Sequence, residues 1–126
     1  MLNLISQIRD MKTFSPEGSE GFAWWYLDLV DEKGSGLVLI WGLRNPFLPV
    51  KGDGRSPSVS LVAYDRGVKV FCLHQIYAES EYSQSRSKWQ VGDSVFEWGR
   101  RFGQGVLTVT LDCPIPGSDE RLCGNF

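Results

Sequence analysis

The sequence predicts a mainly β domain, an antiparallel barrel or strongly curved sheet that follows a short N-terminal helix, and three observations carry that reading. Aromatic residues make up 13% of the 126-residue chain, with five Trp, and 14 Gly accompany them; both biases favour strands and tight turns. From residue 22 onward, short apolar or alternating runs follow one another with turn-forming residues between them. No Gly-rich linker, repeat or low-complexity tract interrupts the series, so residues 20–126 read as one β domain and residues 1–19 as a helix and loop leading into it.

Leu4, Ile5, Ile8 and Met11 recur at helical spacing within residues 2–11, which predicts a short amphipathic helix that needs docking to be stable. After the loop at 15–19, strands are expected near 22–30, 36–43, 58–65, 67–73, 75–79, 86–91, 94–99 and 105–112. Three links carry hairpin chemistry: residues 31–36, the triplet Asp65, Arg66 and Gly67, and the pair Gly92 and Asp93. Residues 45–54 read as a longer loop, because Pro46 and Pro49 cannot donate to a ladder. Gly99 to Gly105 reads as a loose hairpin connection, and "RLCGNF" has the look of a further strand beginning.

A succession of short antiparallel strands closes as a barrel or packs as a sandwich. In 22–30, period-two alternation places Ala23, Trp25, Leu27 and Leu29 on one face and Trp24, Tyr26, Asp28 and Val30 on the other. In 36–43 both faces are apolar, Leu37, Leu39 and Trp41 against Val38 and Ile40. A strand apolar on both faces is covered on both, which suits a sheet with a core behind it and a lined cavity or a second domain in front.

Composition excludes several functions. A net charge of -2, with Arg100 and Arg101 as the one basic doublet, gives no footprint for nucleic acid. No apolar run is long enough to span a bilayer, and no signal-peptide pattern opens the chain, so a soluble cytoplasmic protein is expected. Cys72, Cys113 and Cys123 show no metal spacing, although Cys113 and Cys123 could bridge under oxidation. With His74 the sole histidine, no metal and no cofactor is expected.

Two features have room for chemistry. Asp28 shares a strand face with Trp24 and Tyr26: it either opens the polar turn that follows, or is buried among the aromatics and kept protonated as a general acid. The three aromatics either fill the core or line a pocket whose π faces hold an apolar or cationic group. His74 ends an apolar run as a partly exposed polar residue or as an acid or base.

The block "FAWWYLDLVDEKGSGLVLIWGLRNPFLP" resembles the opening of the carotenoid 1,2-hydratase (hydroxyneurosporene synthase) family, and "SVSLVAYDRG", "WQVGDSVFEWG" and "GVLTVTLD" follow in the family's order. The resemblance runs from about residue 20 to 112 and implies a lipocalin-like (calycin) domain, the first of two in that family, with the second absent here. It implies a cavity for an elongated isoprenoid or polyene and acid-catalysed hydration or cyclisation. Asp28 would then be the catalytic acid, and Trp24, Tyr26, Trp41 and His74 would line the substrate site. A His that the family places before the strand at 58–64 is replaced here by "GRSPSVSL". The alternatives are a lipocalin-like binding module that holds a hydrophobic ligand without chemistry, and a half-protein whose sheet is completed by a homodimer partner or second domain.

Overall fold

The computed structural model describes residues 23–44 and 56–126. The helix expected over 2–11, the segment 1–19 and the loop over 45–54 lie outside the described residues. Among the described residues nine strands follow one another: β1 (Ala23–Val30), β2 (Gly36–Leu43), β3 (Pro57–Asp65), β4 (Val68–Ile76), β5 (Tyr82–Gln84), β6 (Lys88–Val91), β7 (Ser94–Arg101), β8 (Gln104–Pro114) and β9 (Arg121–Asn125). They form two antiparallel sheets in chain order, β1-β2-β3-β4 and β5-β6-β7-β8-β9, and the described strands do not close into a barrel.

The turns explain why each strand pairs with the next. Asp31 accepts from the backbone N–H groups of Lys33 and Ser35, both at 2.8 Å, and so folds the β1–β2 connection around its own carboxylate. Arg66 and Gly67 both have positive φ, 47° and 79°, between the paired residues Asp65 and Val68. Two such residues make a primed two-residue turn whose twist matches the strands it joins. Phe102 and Gly103 repeat the device, at 51° and 78°, between Arg101 and Gln104. The Gly-rich stretch 99–105 is therefore not the loose connection expected from its composition, because β7 and β8 run paired up to a tight turn.

The expected strand at 75–79 is also corrected. β4 continues through Ile76, and then the chain leaves the sheet as the Tyr77 amide donates to the Pro57 carbonyl at 2.8 Å. One 3₁₀ turn over Glu79–Glu81 carries it into the second sheet. The segment expected at 86–91 begins as a strand at Lys88, and β5, three residues long, precedes it.

The inner faces of the two sheets share one core. Leu27, Leu39, Trp41, Val59, Leu61 and Leu73 from the first sheet meet Trp89, Val91, Phe96, Val109, Leu111 and Cys113 from the second. Two ring contacts cross the seam. Trp41 stacks on Phe96, with centroids 4.1 Å apart and planes 7° from parallel, and Trp25 tilts against Trp89 at 5.2 Å. Trp41 and Phe96 are 1% and 0% exposed. Such a pair contributes its buried area plus about 0.5–1.5 kcal/mol of ring–ring attraction.

Replacing either stacked ring should therefore be severe. Trp41→Ala and Phe96→Ala are each expected to lower unfolding stability by about 3–5 kcal/mol in urea titration, and a loss below about 1 kcal/mol would show that the seam is not the main tie between the sheets.

Candidate functional site

Strand register assigns the outer face of the first sheet row by row. Trp24 pairs with Gly42, Gly42 with Ser58, and Ser58 with Ile76; one row along, Tyr26, Ile40, Ser60 and His74 stand in line; the next holds Asp28, Val38, Val62 and Cys72. Paired residues project from the same face. The middle strands of this face carry Val38, Ile40 and Val62 beside two serines, Ser58 and Ser60, and the two outer strands carry Tyr26, Asp28, Cys72 and His74.

Four of the five expected site residues fall here. Trp24 is half-buried and its ring lies 5.9 Å from that of Tyr26, which is 57% exposed. Asp28 is exposed, two residues further along the strand. His74 occupies the opposite edge, in Tyr26's row but three interstrand steps away, roughly 14 Å. Trp41 does not join them. It pairs with Trp25 on the inward side of β2 and stacks on Phe96, so the sheet itself separates it from Tyr26. Asp28 is likewise open to water on the described face, so the burial among aromatics that an acid role requires is not provided there.

Sequence reasoning missed three residues of this face. Ser58 and Ser60 are 1% and 2% exposed, and neither hydroxyl has a hydrogen-bond partner. Cys72 is exposed, with Sγ 3.1 Å from Nε2 of His74. The available signal was the alternation in "PSVSLVAYD", which already placed both serines with Val62; their burial required the packed structure.

A separate polar cluster fastens the end of the second sheet. Arg121 donates through Nε to Asp112 at 2.6 Å and through a terminal nitrogen to Asp93 at 2.7 Å. Its guanidinium holds the Asp112 carboxyl below the usual carboxylate range; partial desolvation opposes this, and a hydrogen bond from Cys123 reinforces it. The same Asp112 bond pushes the Cys123 thiol upward, so it stays protonated. Ser94 bonds both the amide and the carbonyl of Asp112. Tyr77 lies nearby, its ring over Gly92, where a Cβ would overlap it. Burial raises the phenol well above its ordinary range, and the neighbouring Cys113 adds to the rise.

The three cysteines are free. Cys113 faces the core opposite Leu122, whereas Cys123 stands opposite Asp112 on the other face of the sheet, so the pairing considered from sequence is not made. Among the described residues, no group of three or more His, Cys, Asp and Glu side chains is placed to hold a metal ion, and no helix is long and apolar enough to cross a membrane. The structure thus presents a two-sheet antiparallel β domain whose one filled core leaves an aromatic outer face. Comparison of the chain with protein-family models, curated proteins and solved structures gives no match.

The Asp112–Arg121 pair makes the β8–β9 end pH-sensitive. The folded carboxyl holds its proton less tightly than the unfolded one, so the pair's contribution is complete above the ordinary Asp value of about 3.9 and is lost as pH falls through the lower folded value. Protection of the β9 amides against hydrogen exchange, corrected for intrinsic rates, should fall over that acid range in the native chain and show no such step in Arg121→Met. An equal step in both would exclude the pair as its cause.

Proposed function

We propose that the chain is a lipocalin-like binding domain, similar to the carotenoid 1,2-hydratase family, that holds an elongated apolar ligand of isoprenoid or polyene type against the outer face of its first sheet. The observation that carries this reading is the Trp24–Tyr26 ring pair, placed outward on a sheet whose inner face already has a core. An aromatic residue as exposed as Tyr26 gives up little on folding but offers a large flat surface to a partner. Ile40, Val38 and Val62 continue the apolar surface across the two middle strands.

Binding without turnover is the form of the proposal that the geometry supports best. Protonating an unactivated alkene demands a carboxylic acid shielded from water, and Asp28 is exposed. Its place beside Tyr26 suits a polar anchor at one end of the ligand. The space between the sheets is occupied by Trp41, Trp89 and Phe96, each at most 1% exposed, so the interior serves packing.

Titration with a conjugated polyene fatty acid should quench tryptophan emission in the native chain. Tyr26→Ala and Trp24→Leu should each weaken binding about ten-fold, the effect of removing roughly 1.4 kcal/mol of apolar contact, while melting temperature changes little. Unchanged affinity in the double variant would remove the outer face from consideration. Hydrated product from the native chain, absent in Asp28→Asn, would establish turnover in place of simple binding.

A further inference from the structure

The turns Arg66–Gly67 and Phe102–Gly103 have the same backbone, with φ of 47° and 79° in one and 51° and 78° in the other. Such a turn favours Gly, Asn or Asp at its first position. A bulky aromatic residue at positive φ is strained, and no burial offsets the strain at Phe102, which is 94% exposed. The matching turn is made with a charged residue, so turn geometry does not account for the phenylalanine.

The hairpin that carries Phe102 stands clear of its neighbours. β6 pairs with β7 no further than Glu97, and on the other side the ladder on β8 reaches Val109, which pairs with Phe126. Residues 99–106 pair only with one another, and every one of them is exposed. Arg100 and Arg101 leave opposite faces of this ribbon, and the Arg101 guanidinium lies 5.7 Å from the centroid of the Phe102 ring. Among the described residues neither arginine has a carboxylate partner. No Asp or Glu occurs between Glu97 and Asp112, so the ribbon is cationic in a chain whose net charge is -2.

An apolar ring at a projecting tip, with a cation on each flank, is complementary to the surface of an anionic bilayer. The headgroup layer attracts the guanidinium groups, and the acyl boundary just beneath it takes a ring out of water. The long arginine stems let the charges stay among the headgroups while the tip goes deeper. A nucleic acid, in contrast, needs cations spread along its backbone.

We infer that the β7–β8 hairpin is a membrane-contact tip that docks the chain reversibly on anionic lipid surfaces, with Phe102 entering the acyl boundary and Arg100 and Arg101 held at the headgroups. One ring and two cations make a weak peripheral anchor, whose strength rises with the anionic lipid fraction and falls with salt. The inference stands on β7 and β8 and does not depend on ligand binding at Trp24 and Tyr26.

The full chain is floated with vesicles of phosphatidylcholine alone and with vesicles of phosphatidylcholine and phosphatidylserine in equal parts, at low and at high salt. At low salt the native chain should partition about ten-fold more strongly to the mixed vesicles, and high salt should remove that preference. Phe102→Asn, which suits the turn better and so keeps the fold, should lower partitioning to the mixed vesicles about ten-fold. Arg100→Gln and Arg101→Gln should each lower it about five-fold. Arg66→Gln removes the same charge from the matching turn of the first sheet and should leave partitioning nearly unchanged. Absence of native-chain binding to the mixed vesicles at low salt, or undiminished binding in Phe102→Asn, would overturn the inference. An equal loss in Arg66→Gln and Arg101→Gln would reduce the effect to net charge and overturn the assignment to this hairpin.

Discussion

The contact on which the rest of this structure depends is the stack of Trp41 on Phe96 across the seam between the two sheets. Neither sheet buries an apolar face by itself, and the chain passes between them through a short irregular link after β4. Inter-sheet packing must therefore hold them together. The stacked pair belongs to the shared core, with Trp25 on Trp89 as a second crossing and Leu39, Val59 and Val109 in the same buried cluster. Large rings therefore occupy the space between the sheets.

The assignment of the two faces follows from sequence and burial together. Alternation along β1 divides Trp25 and Leu27 from Trp24, Tyr26 and Asp28, and the structure turns the first set inward to Trp89 and leaves Tyr26 largely exposed. The outer face then holds an aromatic pair at one edge and a thiol–imidazole pair at the other, joined by apolar side chains and two unpartnered hydroxyls. The Arg121 cluster belongs to neither, since it fastens β9 to β8 and to the β6–β7 turn.

Much of the strand order was legible because it is written in local chemistry. The span of β2 and the turns at Arg66–Gly67 and Gly92–Asp93 follow from period-two patterning and from residues that tolerate positive φ. β5 was not legible, since three residues containing an exposed Ser83 give no pattern. The division into two sheets was hidden for a different reason: β4 and β5 follow one another in the chain without pairing, and local patterning does not say which consecutive strands pair. The direction of Trp41 was undetermined because β2 is apolar on both faces, so alternation separates the faces without saying which meets the core. Ser58 and Ser60 fell on the outer face by pattern, but their isolation from any partner is a property of packing.

The central claim is that the filled seam directs an apolar ligand to the outer face of the first sheet, and paramagnetic broadening tests it most directly. A fatty acid with a nitroxide at mid-chain is added to methyl-labelled protein, and the methyl resonances of inner and outer residues are compared. Val38, Ile40 and Val62 should broaden, with Leu39, Val109 and Leu111 remaining sharp. Selective broadening of Leu39, Val109 and Leu111 would place the ligand between the sheets and contradict it.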